Sequence, residues 1–121
     1  MITEAIIGAS IEVHRELGPG LLESAYHICL CHELRLRRMP FEQRAVLPLS
    51  YKGAPLNENT EVSLVVAGRV AVKAKALGRI EAVHQAELLS QLRLRGWRQG
   101  LLLNFNTRSL REGICRLLND R

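Results

Sequence analysis

Aromatic side chains are scarce in this 121-residue chain and make up 4% of it. The core must therefore be built from Leu, Val, Ile and Ala. Long apolar runs are missing too, since none approaches the roughly 20 residues that cross a bilayer. The first residues, Met1 to Glu4, show no basic region followed by an apolar stretch. We therefore expect a protein without a membrane span or a targeting signal.

Cysteine is also sparse, and the three residues are Cys29, Cys31 and Cys115. An odd count without a secretory segment favours reduced thiols and a cytoplasmic location. The sequence lacks the G-x-S-x-G elbow, the P-loop and the dinucleotide fingerprint of several enzyme classes. The segment from His27 to His32 holds four soft metal ligands, but helix residues two apart point in nearly opposite directions. We therefore predict a packed helix face there and no metal site.

What the sequence does contain is typical of one globular domain spanning residues 1–121. Hydrophobic residues make up 47% and charged residues 24% of the chain. The formal net charge is +5. An excess of basic over acidic side chains is compatible with attraction to phosphate backbones, which makes nucleic acid a candidate partner.

The first half of the chain predicts two helices followed by strands. Apolar spacing indicates helices over Ile2–Leu17 and about Leu21–Leu36, separated by Gly18-Pro19-Gly20. Pro48 marks the first strand as an edge strand. The predicted strands are Ala45–Tyr51, Glu61–Val66 and Val70–Ala76.

The second half predicts a helix, a strand and a further helix. The helix runs from about Ile80 to Leu94 and ends at Gly96. The apolar run Gly100–Phe105 is typical of a strand buried on both faces. Ser109 to Glu112 has the pattern of a capping box that opens a last helix. The predicted order is α-α-β-β-β-α-β-α, a single mixed α/β or α+β domain.

The segment Gly20-Leu-Leu-Glu23-Ser-Ala-Tyr26 contains the spacing G-x-x-E-x-x-Y in full. Together with the preceding Ile11–Pro19, it resembles the opening of the GxxExxY family, a branch of the PD-(D/E)xK nuclease-like fold. Similar segments follow along nearly the whole chain: Tyr51-Lys-Gly53, Leu88-Leu89, Leu92-Arg-Leu94, Gly100–Asn106 and Leu110 through Ile114. The resemblance implies a single-domain, restriction-endonuclease-like core.

Nucleases of this fold cut phosphodiesters with a divalent metal ion. An Asp on one strand and a Glu on the next bind the metal, and a Lys two residues after the Glu orients the attacking water. Residues i and i+2 of a strand face the same way, so the Glu and the Lys converge on one pocket. Carboxylates are the hard oxygen ligands that Mg²⁺ requires, and the bound metal generates the nucleophile.

Carried over to this chain, the resemblance places the family's helix Glu at Glu23 and its Lys at Lys75. The metal-binding Asp falls on Ser63, and the metal-binding Glu falls on Lys73. The family's helix Gln, its helix Tyr and the Arg before its Asp fall on Glu87, Gln91 and Glu61. The resemblance therefore implies a nuclease fold whose two strand carboxylates are gone.

These substitutions predict a pocket without a metal and without another cofactor. Two ammonium groups a few ångströms apart would repel a cation by several kcal/mol at an effective dielectric constant of about 20. We predict an ion-pair cluster of Glu23 and Glu87 with Lys73 and Lys75. The alternative is a rearranged Mg²⁺ site that uses Glu23, Glu61 and Glu87.

Arginines cluster after the second and third predicted helices. They fit a solvated surface, a stripe that faces DNA, or pairs with acids across a subunit contact, and Trp97 fits an interface anchor or a cap over the core. These arginines are Arg35, Arg37, Arg38, Arg93, Arg95 and Arg98. We predict a catalytically inactive nuclease-fold protein that acts as a binding or self-assembling module, as a homo-oligomer. The alternative function is a Mg²⁺-dependent DNA or RNA phosphodiesterase.

Overall fold

The computed structural model describes residues 1–120, which form three helices around a five-stranded sheet. The helices are α1 (Ile2–Leu17), α2 (Glu23–Leu36) and α3 (Ala82–Arg95). The strands are β1 (Phe41–Tyr51), β2 (Ala54–Val66), β3 (Val70–Lys75), β4 (Gln99–Asn104) and β5 (Ile114–Leu118). Within these residues, no helix combines the length and the apolar character that crossing a membrane requires.

The sheet lies between two helical layers. Its strands follow the order β1-β2-β3-β4-β5, in which β3 and β4 are parallel and the other neighbours are antiparallel. A parallel pair needs a long crossover, and α3 supplies it between β3 and β4. Helices α1 and α2 cover one face of the sheet, and α3 covers the other. The predicted mixed α and β fold class is confirmed.

Each face of the sheet has its own apolar cluster. Under α1 and α2, Tyr26 and Leu30 are fully buried beside Leu101 and Phe105. Under α3, residues such as Leu88 and Leu102 form a second and smaller cluster. Helices cover both faces of β4, which explains its apolar run without alternation. The strand predicted over residues 100–105 is thus confirmed within one residue at each end.

The prediction of a last helix is wrong, and the order of elements ends in a strand. Residues Leu110–Gly113 make a single 3-10 turn, and Ile114–Leu118 form β5 instead of a helix. Ser109 makes no side-chain capping bond. The residues of β5 pair antiparallel with β4, whose outer edge would otherwise leave buried backbone groups unpaired. Pairing with a distant strand has therefore overridden the local capping pattern.

The hairpin of β1 and β2 is longer than predicted. Strand β1 begins at Phe41 instead of Ala45, and β2 begins at Ala54 instead of Glu61. Strand β3 pairs with β2 only at residues 64–66, so the outer part of the hairpin has no third strand. We call residues 48–59 the arm; within it, residues 50–59 are all exposed. The arm projects beyond both apolar clusters.

Candidate functional site

The G-x-x-E-x-x-Y motif holds the junction between α1 and α2. Gly20 has a φ of +107°, a conformation that glycine adopts without strain. The Tyr26 hydroxyl donates to the Gly18 carbonyl at 2.6 Å and accepts from the Leu21 N–H at 3.1 Å. The fully buried Tyr26 ring stacks on Phe105 with a centroid distance of 4.6 Å. Gly20 and Tyr26 therefore shape the chain next to the site.

Glu23, the third motif residue, connects α2 to the end of β3. Its carboxylate accepts a hydrogen bond from the Ala76 N–H at 3.2 Å. Ala76 follows directly after β3, which ends at Lys75. The motif thus brings one carboxylate to the sheet, next to the strand that carries Lys73 and Lys75.

Glu23 lines a small cavity of about 240 Å³ at this point. The side chains around it combine acidic, basic and hydroxyl groups. They are Glu23, Arg44, Glu61, Ser63, Lys73, Ala74 and Lys75. Four of the six predicted pocket residues, Glu23, Ser63, Lys73 and Lys75, therefore lie together around one cavity. We call this cavity the sheet pocket.

The sheet pocket opens where the β1–β2 hairpin changes face. Leu64 packs under α1 and α2, whereas Val62, two residues earlier on the same strand, packs under α3. Residues two apart on a regular strand share a face, so the backbone must turn over at Ser63. On β1, Arg44 lies between the partners of Leu64 and Val62 and has a φ of +58°. Sequence patterns gave no signal for this turn, and Arg44 was missed as a pocket residue.

Lys73 is held by an ion pair with Glu87 of α3. The Lys73 Nζ donates to the Glu87 carboxylate at 2.6 Å. The Lys73 side chain is 11% exposed and that of Glu87 is 59% exposed. The hydrogen bond from Lys73, and then its charge, hold the pKa of Glu87 below its ordinary value, against a smaller opposing effect of burial. Of the predicted four-residue ion-pair cluster, the structure therefore forms one pair, between Lys73 and Glu87.

The other half of the predicted cluster is not formed. Glu23 accepts from a backbone N–H, as described above, and Lys75 makes no ion pair with any residue in the range 1–120. Arg44 likewise has no acidic partner within 4.0 Å in that range. Counted with Glu87, the sheet pocket holds three basic and three acidic side chains, whose formal charges cancel.

Gln91 lies behind the sheet pocket and does not line it. This residue of α3 is 5% exposed and donates to the Thr60 hydroxyl at 3.1 Å and to the Glu61 carbonyl at 3.0 Å. The side-chain amide therefore fastens α3 to the backbone of β2. Gln91 supports the strand that carries Glu61 and Ser63.

The residues of the sheet pocket do not fit a Mg²⁺ ion. Of the residues that the structure describes, two carboxylates line it, those of Glu23 and Glu61, and the Glu23 carboxylate already accepts a backbone hydrogen bond. Across residues 1–120, no three His, Cys, Asp or Glu side chains are grouped so that they could hold a metal. Lys73 and Lys75 add positive charge, which raises the electrostatic cost of a cation by several kcal/mol. No chemical step through a metal follows from this set of residues.

The predicted surface arginines have separate environments. Arg35 lies over the Phe41 ring, and Arg37 pairs with Glu33 at 2.7 Å. All six arginines are exposed, including Arg38, Arg93, Arg95 and Arg98. Trp97 is 8% exposed and packs in the cluster under α3, with Arg95 over its ring. Trp97 thus lies over the core, and its role as an interface anchor stays a prediction.

The cysteine environments are largely apolar. The Cys31 thiol lies 3.7 Å from the His27 imidazole on the same helix face, and burial raises its pKa. Cys115, which was expected on a helix, lies on β5 against the cluster under α3. Burial raises the pKa of this thiol as well. Both thiols are therefore held in the protonated form at neutral pH.

Three layers, a central mixed sheet and a polar pocket at the end of β3 define a nuclease-like α/β fold. A family model described as the PD-(D/E)XK nuclease superfamily matches residues 1–117. The chain belongs to that superfamily. Comparison with curated proteins and with solved structures finds no match.

The Lys73–Glu87 pair predicts a small loss of stability in acid. A carboxyl group with a lowered pKa in the folded state stabilises the fold above its unfolded pKa of about 4.3, and this stability is lost as pH falls through the lowered pKa. Glu87→Gln should remove this pH dependence. The effect should stay below about 1 kcal/mol, because Glu87 is mostly exposed. Thermal unfolding from pH 7 to pH 3 measures it.

The matched control for Glu87 is Glu42→Gln. Glu42 is exposed on β1 and makes no ion pair with any residue from 1 to 120. This variant should follow the parent at every pH. An equal response of the two variants would contradict the assigned pair.

Proposed function

We propose that this chain is a nuclease-fold protein that does not cut phosphodiesters and that works as a self-assembling, homo-oligomeric module. The observation that carries the proposal is the arm, residues 48–59, which projects from the sheet without support from the rest of the chain. The sheet pocket supports the first half of the proposal and the arm supports the second.

Charge compensation in the sheet pocket argues against cleavage. The position that the family resemblance assigns to a metal-binding Glu carries Lys73, which is paired with Glu87. A cation would have to displace or neutralise this ammonium group. The acidic and basic side chains at the pocket balance only when Glu87 is counted, so no excess of negative charge attracts a metal ion there.

The arm argues for assembly because two-stranded hairpins are at best marginally stable in water by themselves. Residues 50–59 are exposed along both strands. Two apolar side chains lie there with large exposed fractions, 62% for Tyr51 and 47% for Leu56. A second copy that packs against the arm would bury these side chains and supply the missing support.

The geometry of β1 favours packing on the face of the arm over pairing along its edge. Strand β1 is the first strand of the sheet and has a free outer edge. Pro48 lacks a backbone donor, and Arg44 takes a left-handed conformation that interrupts the strand. Both features are devices that block edge-to-edge pairing. The contact proposed between copies is therefore made by side chains such as Tyr51 and Leu56.

Assembly is tested by light scattering coupled to size exclusion. The parent chain should give a discrete mass that is a multiple of its 13.6 kDa. The double variant Tyr51→Ser with Leu56→Ser should shift to the single-chain mass, because the apolar contact of the arm is lost. The matched control is Val83→Ser, which changes a side chain that is 69% exposed on α3. A monomeric parent would refute the assembly, and an arm variant with unchanged mass would refute the arm as its contact.

The same samples decide between assembly, nucleic-acid binding and cleavage. The net charge of +5 keeps nucleic acid a predicted partner. If the purified chain retains nucleic acid, and its mass falls when added nuclease digests that nucleic acid, binding explains the mass. Incubation with labelled DNA and RNA in Mg²⁺ should leave both intact. Cleavage would support the alternative, a site rearranged around Glu23, Glu61 and Glu87.

A further inference from the structure

The structure has a second and larger cavity, which shares no described lining residue with the sheet pocket. It has a volume of about 770 Å³, compared with about 240 Å³ for the sheet pocket. It is formed by the start of α1, the turn between β2 and β3, and the connection from α3 to β4. Small-molecule sites typically measure about 300–1,000 Å³. We call this cavity the N-terminal cavity.

The lining of the N-terminal cavity is largely apolar, and the charged side chains in it are positive. Apolar side chains come from five different parts of the chain. They include Ile2, Met39, Val70, Trp97 and Leu118. Among the described lining residues, the charged side chains are those of Arg69 and Arg98, and no Asp or Glu is included. The cavity therefore combines a hydrocarbon surface with two positively charged side chains.

Neither arginine is neutralised by a neighbour. Arg69 and Arg98 are both exposed, and neither makes an ion pair with another residue in the range 1–120. Arg44 and Lys75 of the sheet pocket also lack an ion pair with a described residue, but the carboxylates of Glu23 and Glu61 line the same cavity and offset their charge. Of the two cavities, the N-terminal cavity is the one with an uncompensated attraction for an anion.

We propose that the N-terminal cavity binds a small aliphatic carboxylate such as a medium-chain fatty acid. The carboxylate accepts hydrogen bonds from Arg69 and Arg98, since guanidinium groups match carboxylates in geometry and remain charged. The hydrocarbon chain lies against the apolar lining, where its removal from water stabilises the complex. The apolar lining selects such a ligand over an inorganic phosphate, which would leave that surface in contact with water.

Calorimetry at pH 7 with three probes tests both parts of the proposal. Octanoate carries the charge and the hydrocarbon chain, acetate carries only the charge, and octanol carries only the chain. Octanoate should bind at one site, and acetate and octanol should each bind at least about tenfold more weakly, because each loses one source of affinity. Equal binding of octanoate and octanol would overturn the role of the arginines. No binding of octanoate would overturn the site.

Two variants and a matched control locate the site. Arg69→Gln and Arg98→Gln should each weaken octanoate binding about tenfold, as expected for the loss of a hydrogen bond to a charged group. Both residues are exposed, so these variants should unfold at the temperature of the parent. Arg93→Gln removes the same charge from an exposed position of α3 outside the cavity and should leave the affinity unchanged. Equal weakening by all three variants would indicate nonspecific attraction and overturn the assignment.

Discussion

Mg²⁺ and Mn²⁺ are expected to leave the parent chain unaffected and to bind a double variant with Ser63→Asp and Lys73→Glu. Both residues line the sheet pocket, on the adjacent strands β2 and β3. The two substitutions remove one ammonium group and add two carboxylates beside Glu23. Oxygen ligands of this kind are what a divalent hard cation requires.

Thermal unfolding should show that the double variant is destabilised without metal and stabilised when metal is added. Without metal, the double variant should be less stable than the parent, because it loses the Lys73–Glu87 pair and gathers like charges. With metal at about a hundred times its dissociation constant, binding adds about 2.7 kcal/mol, or on the order of 10 °C in Tm for a domain of this size. Calorimetry should give heat of binding for the variant and none for the parent.

The control for the metal experiment is Ser63→Asn with Lys73→Gln. This variant also removes the ammonium group but supplies no carboxylate, so it should not respond to metal. If the parent itself binds metal and cuts DNA, the proposal of a non-cleaving protein is wrong, and Glu23, Glu61 and Glu87 become the residues to substitute. If the double variant folds but does not bind metal, the sheet pocket is not the position at which the superfamily binds its metal.

Gly113→Ala is expected to destabilise the fold by about 3 kcal/mol, at the upper end of the range for overpacking. A Cβ atom on Gly113 would clash with the Asn104 carbonyl oxygen, a backbone atom that cannot rotate away. Gly113 precedes β5, and Asn104 ends β4. The substitution should therefore separate β5 from the edge of the sheet. Chemical denaturation with urea measures the free energy of unfolding.

Gly78→Ala is the matched control for Gly113. No heavy atom lies within 4 Å of a Cβ built on Gly78, and its φ lies outside the left-handed range. This variant should be neutral or slightly more stable, because alanine restricts the unfolded chain. If Gly113→Ala proved as stable as Gly78→Ala, the close approach of the 3-10 turn to β4 would be contradicted.

Membership of the nuclease superfamily does not by itself assign a reaction to this chain. The fold supplies a sheet end and a helix that meet at a pocket, but chemistry depends on the side chains there. In this chain those side chains cancel in charge, with Lys73 paired to Glu87. Two other features carry the proposals made for this chain: the exposed arm, and the two arginines of the N-terminal cavity, whose described lining holds no Asp or Glu.

The sequence by itself determined the elements whose stability depends on their own residues. The apolar period predicted α1 with both ends correct, and Gly96 with a φ of +81° ends the third helix as expected. The unbroken apolar run after Gly100 predicted a strand covered on both faces. The spacing of Gly20, Glu23 and Tyr26 led to the superfamily, which the family model over residues 1–117 shows. These signals are short in sequence, so no distant residue was needed to interpret them.

The tertiary structure alone decided the contacts between residues far apart in the chain. The segment after Leu110 became a strand because the open edge of β4 needed partners, although its capping pattern favoured a helix. Glu23 bonds to the backbone at Ala76 instead of to a lysine, since α2 brings it to the end of β3. Arg44 enters the sheet pocket only because the hairpin turns over there. Each of these outcomes depends on which backbone groups and charges remain unpaired after folding, and local sequence patterns do not record that.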